Sequence, residues 1–219
     1  MMDNAKEIYG ILTSAGMSRA GALGMLGNMA AESGLKPNIA QRGMTKLTDE
    51  QYTAAADNGL IDFANDAIGY GLYQLTYRTR KAGYLAFCKA RGCSVGDLQA
   101  QCEYCVKELK EDYPLLWKFL CTSADINACA DRICTEFERP AVNNLLTRRN
   151  YAHEFERDIP EKYTPPKADP VQATFPPDPS VWAIQLVMQF NGYWGKPDGH
   201  KSKDFFSKLR EFTNDMESC

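Results

Sequence analysis

The stretch SRAGALGMLGNMAAESG, residues 18–34, has the pattern of a helix that packs closely against another backbone. Ser18 is a typical N-cap, and Gly34 is typical of the position where a helix ends. Apolar residues recur at helical spacing, at Ala22, Met25, Leu26, Met29 and Ala30. Three internal glycines, Gly21, Gly24 and Gly27, lower helix propensity, so we expect them to allow a close approach between backbones.

Helical periodicity continues through the second part of the chain and predicts a mainly α fold. The further predicted helices cover 4–15, 78–91, 96–110, 114–121, 125–137 and 141–157, with cap candidates at Ser94, Ser123 and Asp125 and a break at Pro140. Residues 36–70 show no strong period, and loops of that length are usually functional. GYGLYQLTY, residues 69–77, is typical of a small β-hairpin or an extended turn.

Proline content divides the 219 residues into three parts. Residues 1–162 form the predicted main domain, and residues 163–180 read as a semi-rigid, proline-rich linker. Residues 181–219 form a predicted small helical module. A unit of that size rarely builds a robust core, so packing against the main domain is the alternative to an independent role.

Composition excludes several classes of partner. The net charge of −3 and the scattered basic residues do not form a nucleic-acid groove, and the pair Arg148–Arg149 reads as a solvated face. No window approaches the ~20 apolar residues of a membrane span. The N-terminus carries acids where a signal peptide carries bases, so we expect synthesis in the bacterial cytoplasm and another route to any site outside. The oligomeric state stays open.

Eight cysteines are many for such a chain: Cys88, Cys93, Cys102, Cys105, Cys121, Cys129, Cys134 and Cys219. A zinc site usually shows two tight cysteine pairs or a set of cysteines and histidines. Here only Cys102 and Cys105 form a CxxC pair and no histidine lies nearby, so the support for zinc is weak. Zinc, disulfides and free buried thiols are the alternatives, and the helical spacing of several cysteines favours free thiols. We expect no metal site and no cofactor; no phosphate-binding loop with lysine is present.

Glu32 is the candidate catalytic residue of the 18–34 segment. The C-terminus of a helix disfavours a charged carboxylate, and the small neighbours Ala30, Ala31 and Gly34 do little to screen this unfavourable interaction. We therefore expect a raised pKa for Glu32. A raised pKa is what a general acid needs near neutral pH. The alternative is an exposed glutamate in the last turn of a helix.

The 69–77 segment offers groups that suit an uncharged polyol such as a sugar chain. Gly69 and Gly71 let backbone approach a ligand closely, and the Gln74 amide both donates and accepts hydrogen bonds. Flat amphipathic faces are supplied by the tyrosines at positions 70, 73 and 77.

GMLGNMAAESGLKPN (24–38) followed by GYGLYQLTYRTRK (69–81) resembles the lysozyme-like glycosidase domain of phage tails and phage endolysins. That domain is related to goose-type lysozymes and lytic transglycosylases. TEFERPAVNN (135–144) resembles a third stretch of the family. The resemblance covers roughly residues 4–158. It implies a lysozyme-like fold and cleavage of bacterial peptidoglycan between N-acetylmuramic acid and N-acetylglucosamine, with a 1,6-anhydro-forming transglycosylase as the alternative.

The resemblance also implies roles for individual residues. Glu32 of the Glu32–Ser33 pair is the expected catalytic acid. The expected sugar contacts are Ser33, Gly71, Tyr73, Gln74 and Tyr77. Glu138 and Arg139 belong to the third stretch, for which we expect a structural role first and substrate contact second.

A second carboxylate is left open. Direct hydrolysis with inversion needs a base, with the two carboxyls ~6.5–9.5 Å apart. Asp57, Asp62 and Asp66 are candidates, and Asp66 lies nearest to the Gly/Gln motif, although such residues more often shape turns. Otherwise the acetamido or 6-hydroxyl group of the substrate serves instead, as in transglycosylases.

VWAIQLVMQFNGYWGKPDGH, residues 181–200, loosely resembles one helix pair of a peptidoglycan-binding module. Trp182, Tyr193 and Trp194 are the expected wall contacts. Two other readings compete for the whole chain. A cysteine peptidase needs a Cys–His pair, and neither His153 nor His200 lies in a recognisable motif. A non-catalytic wall-binding module would not need the Glu32 and Gln74 pattern.

Overall fold

The computed structural model describes residues 2–161 and 163. Its helices are α1 (Met2–Ser14), α2 (Arg19–Ser33), α3 (Asp49–Asp57), α4 (Arg78–Arg91), α5 (Leu98–Asp112), α6 (Pro114–Thr122), α7 (Ile126–Arg132) and α8 (Leu145–Asp158). A π-helix, Ile133–Glu138, directly follows α7. The extended backbone makes two isolated antiparallel bridges, Ala40 with Tyr70 and Tyr70 with Leu75. The predicted mainly α, lysozyme-like fold is confirmed.

Helix α2 is the centre of the fold. Its N-cap Ser18 accepts a hydrogen bond from the Gly21 amide, and its C-cap Gly34 adopts the left-handed conformation at φ 62°. Most of its residues are buried, and it packs against α1, α6, α7 and above all α8. A helix that is buried all round needs no polar face, which explains why Gly, Ala and Met fill it.

The glycines of α2 mark its contacts with three other helices. A Cβ on Gly21 would overlap the Leu120 carbonyl oxygen of α6, and one on Gly27 would overlap the Arg148 carbonyl oxygen of α8. A Cβ on Gly24 would lie 2.8 Å from the Ala130 nitrogen of α7. The expected close approach of other backbones is therefore confirmed.

The prediction of an unstructured 36–70 segment is wrong for α3. Thr48 caps this helix in a capping box, in which Thr48 accepts from the Gln51 amide and the Gln51 side chain accepts from the Thr48 amide. The Thr-x-x-Gln signature of such a box was present in the sequence. The helix has only nine residues, too few for a clear hydrophobic period.

The last predicted helices also begin and end differently. The α-helix expected over 125–137 stops at Arg132 and continues as the π-helix, which ends at Arg139 with φ 48°. Helix α8 begins after its cap Asn144, beyond Pro140. The cap of α5 is Asp97, while Ser94 donates to Asp57 instead.

Seven cysteines lie in the part of the chain that the structure describes, and they are free thiols. Five are buried and two are partly exposed, at Cys93 and Cys121. Burial raises the pKa of the Cys102 and Cys105 thiols, and a raised pKa lowers thiol reactivity. Within the same residues, each helix is too short or too polar to cross a bilayer. The predicted linker after residue 163, the predicted 181–219 module and Cys219 lie outside the described residues.

Candidate active site

A cleft of about 430 Å³ lies where the end of α2, the 69–77 turn and the end of the π-helix meet. Its polar lining includes Glu32, Gln41, Gln74, Tyr77, Glu138 and Arg139. Three separate sequence motifs therefore contribute to one cavity. Carboxyls, amides and a phenol line it together, a set that can hydrogen-bond a polyhydroxylated ligand.

Glu32 lies at the cleft end of α2 with 19% of its side chain exposed. Its Oε1 accepts from Nη2 of Arg148, and the two side chains form an ion pair. Arg148 is buried on α8, and its Nη1 donates to Oδ1 of Asn28 at 3.0 Å. Asn28 in turn donates to the carbonyls of Gly24 and Ala130. A buried polar network thus fixes the orientation of Glu32.

This network corrects two expectations. Glu32 was expected to have only small neighbours, but the Arg148 guanidinium contacts it and forms an ion pair with it. Arg148 was also expected on a solvated face, but it is buried. Only Arg149 fits that expectation in part, because it is half-exposed and pairs with Asp131. The sequence showed no signal for the Glu32–Arg148 contact, since the two residues are 116 positions apart.

The Gly/Gln turn is held tightly beside Glu32. Tyr70 and Leu75 exchange backbone hydrogen bonds at 3.1 and 2.9 Å, and Gly71 and Gln74 both have positive φ, 79° and 46°. Gln74 Nε2 donates to the Gly71 carbonyl at 3.1 Å. Gln74 and Tyr77, which is 62% exposed, line the cleft. These two predicted sugar contacts therefore lie in the same cavity as Glu32.

Ser33 and Gly71 lie behind the cleft wall. Ser33 is buried, and its hydroxyl donates to the Leu72 carbonyl at 2.9 Å, which ties α2 to the turn. Gly71 backs onto the Gln101 side chain, where a Cβ would clash. Their contacts are those of residues that position the turn, and the structure does not place them on the cleft lining.

Tyr73 lines the cleft but is almost wholly buried. Its ring lies near the Arg80 guanidinium, which also lies 4.6 Å from the centre of the Phe137 ring. Arg80 donates to both oxygens of Glu108, at 2.8 and 3.0 Å. This buried cluster joins α4, α5 and the π-helix beneath the cleft.

The loop aspartates are engaged elsewhere. Asp66 forms an ion pair with the fully buried Lys81 and accepts from the Tyr52 hydroxyl. Asp57 accepts from Ser94 and from the Val95 amide, and Asp62 accepts from Asn65. None of the three is among the residues that line the described cleft. The contacts of Asp66 are those of a structural ion pair, and the structure does not bring it together with Glu32.

Glu138 is the second carboxyl on the cleft lining. Its Oε1 is buried and has no hydrogen-bond partner among the described residues. Burial and the neighbouring charge of Glu32 raise the pKa of Glu138 from 4.5 to about 8, against the opposing effect of Arg80 and Arg148. The motif FERP contained this residue, for which a structural role was expected first and substrate contact second, and the structure places it on the cleft lining.

The described residues hold no group of three or more His, Cys, Asp or Glu side chains arranged for a metal ion. Trp182, Tyr193 and Trp194 lie outside the described part of the chain. No curated relative matches the sequence. The phage tail lysozyme family matches residues 3–158, which include all three motifs that form the cleft. The chain therefore belongs to the phage tail lysozyme family, whose activity is the degradation of bacterial peptidoglycan.

Proposed function

We propose that this chain is a muramidase that hydrolyses the β-1,4 bond between N-acetylmuramic acid and N-acetylglucosamine, with Glu32 as the general acid. Family membership supports a lysozyme-type glycoside hydrolase. The observation that carries the finer assignment is the position of Glu32 on the cleft lining beside Gln74 and Tyr77. An acid, an amide and a phenol ring are the groups that bind and cleave an uncharged glycan.

The buried network of α2 and α8 fixes the position of Glu32 for this role. Arg148 contacts Oε1, which leaves Oε2 to face the glycosidic oxygen. A carboxyl held in one orientation transfers its proton more effectively than one that rotates freely. Gln74 Nε2 donates to the Gly71 carbonyl, which leaves the amide oxygen to accept from a sugar hydroxyl.

A lytic transglycosylase is the alternative reaction. Asp66 is engaged with Lys81, so the loop does not supply a ready base for water. Burial raises the pKa of Glu138 to about 8, so the acetamido or 6-hydroxyl group of the substrate is the remaining candidate. The proposed chemistry uses the Glu32 carboxyl and groups of the substrate and needs no metal or cofactor. A non-catalytic wall-binding protein would have no need to fix Glu32 on a buried arginine.

Mass spectrometry of digested peptidoglycan tests the proposal. Hydrolysis gives a reducing N-acetylmuramic acid end, while a transglycosylase gives a 1,6-anhydro end that is lighter by one water. No cleavage of the glycan strand by the full-length protein would refute both enzymatic readings.

We place the action of the protein at the bacterial cell wall, which family membership supports, either after phage lysis or as part of a virion. Residues 181–219 are proposed to hold the enzyme on polymeric wall through Trp182, Tyr193 and Trp194. The 163–180 segment would act as the linker between that module and the 1–162 domain.

A further inference from the structure

Three carboxyls and two guanidinium groups interact in and beneath the cleft. The described charged groups that act on Glu138 are Glu32 on α2, Arg80 on α4, Glu108 on α5 and Arg148 on α8. Arg80 is bonded to both oxygens of Glu108, and Arg148 is bonded to Glu32. Each cation is therefore committed to another carboxylate, and Glu138 is the carboxyl left over within this group.

The surroundings of Glu138 disfavour its charged form. Its Oε1 is buried without a hydrogen-bond partner among the described residues, and an ionised oxygen in that position would lose its solvation uncompensated. The preceding residue, Phe137, is fully buried. An ionised Glu138 would also add a second negative charge beside Glu32.

Glu138 lines the cleft despite this burial. The residue ends the π-helix, and the next residue, Arg139, has a positive φ of 48°. Single-turn π-helices occur frequently at functional sites. The adjacent Arg139 also lines the cleft.

We propose that Glu138 binds the glycan as a neutral carboxylic acid, donating a hydrogen bond from the cleft wall to a sugar oxygen. This inference rests on the proposed function, because it assumes a glycan in the cleft. The buried Oε1 then serves as the uncharged carbonyl oxygen, while the other oxygen carries the proton toward the ligand. A pKa raised to about 8 keeps that proton in place at neutral pH.

Binding of the tetramer of N-acetylglucosamine, measured by calorimetry at pH 6 and pH 9.5, tests the proposal in the full chain. Wild type should bind about tenfold more weakly at pH 9.5, because ionisation removes the donor. Glu138→Gln keeps an N–H donor and cannot ionise, so its affinity should be nearly equal at the two pH values. Glu138→Leu should bind about tenfold more weakly than wild type already at pH 6.

Glu136→Gln is the matched control on the same π-helix, since Glu136 pairs with Arg132 and does not line the cleft. It should follow the wild-type pH dependence. Circular dichroism shows whether Glu138→Leu is folded, and the Gln variant tests the proposal independently of it. The proposal is overturned if the affinity of Glu138→Gln for the tetramer falls with rising pH as that of wild type does. It is also overturned if wild type fails to bind the tetramer.

Glycan digestion by wild type, run in parallel, separates this inference from the muramidase assignment. Suppose that wild type cleaves peptidoglycan and that tetramer binding by Glu138→Gln keeps the wild-type pH dependence. The enzyme assignment then stands, and only the role of Glu138 is removed. A wild type that cleaves no glycan strand removes both.

Discussion

Replacement of Glu32 by Gln separates the chemical role of the carboxylate from its structural role. The variant keeps an oxygen that can accept from Arg148 but removes the negative charge that balances the buried guanidinium. Arg148 would then keep Asn28 as its neutral partner, and its Nε already has no partner among the described residues. We therefore expect Glu32→Gln to fold but to lose stability.

The size of that loss follows from the burial of the pair. Removal of one partner of a buried ion pair costs about 3–5 kcal/mol, and the retained acceptor and the partial exposure of Glu32 reduce this to about 2 kcal/mol. Loss of a positioned general acid lowers the rate of cleavage about 10²–10⁴-fold. The two effects are separable, because a folded variant at low temperature shows the catalytic loss alone.

The assays are urea denaturation and the initial rate of wall clearance at a temperature where both proteins are folded. Asp131→Asn is the matched control: it breaks the neighbouring, partly exposed pair with Arg149, which should cost less than about 1 kcal/mol and leave activity intact. Near wild-type clearance by Glu32→Gln would refute its role as the acid. A stability loss no larger than that of the control would refute the buried-pair argument.

Three further predictions concern other parts of the chain. Wild type holds the Glu138 proton up to about pH 8 when folded but releases it near 4.5 when unfolded, so its stability should fall between those pH values. Glu138→Gln lacks this loss and should gain about 4–5 kcal/mol on wild type from pH 4 to pH 9 in denaturant titrations; parallel curves would contradict the assignment. Gly27→Ala should lower the free energy of unfolding by about 1–3 kcal/mol in the same titrations, because the new Cβ would overlap the backbone of α8. This loss is expected although Ala favours helices more than Gly does. A stabilised variant would show that α8 moves away at no cost. Deletion of residues 181–219 should weaken binding to intact sacculi and leave cleavage of short soluble glycans unchanged, and an equal loss on both substrates would favour a stabilising role for that module.

Much of the fold was predictable because its signals are local. Ser18 and Gly34 bracket α2 as expected, since caps act through bonds to the adjacent turn. The glycines at positions 21, 24 and 27 predicted close packing because their cost in helix propensity needs a compensating contact. The π-helix was not predictable, since its first residues have the same apolar spacing as the end of an α-helix.

The candidate site was predictable only in part. Glu32, Gln74 and Tyr77 lie in motifs, and the structure places all three on one cleft. Asp66 was chosen by its proximity in sequence, but tertiary packing gave it Lys81 as a partner. The sequence indicated neither the contact between Glu32 and Arg148 nor the isolation of Glu138, because both depend on which distant charges meet inside the fold.

The glycines of α2 connect the packing of the fold to the geometry of the site. Because Gly27 has no side chain, the backbone of α8 contacts α2 at Arg148 itself. At that separation the Arg148 side chain reaches Asn28 and, one turn further along α2, Glu32. A larger residue at position 27 would move α8 outward and lengthen these contacts. The same sequence pattern that makes α2 a central helix thus positions the cation that orients Glu32, which in turn leaves Glu138 as the uncompensated carboxyl of the cleft.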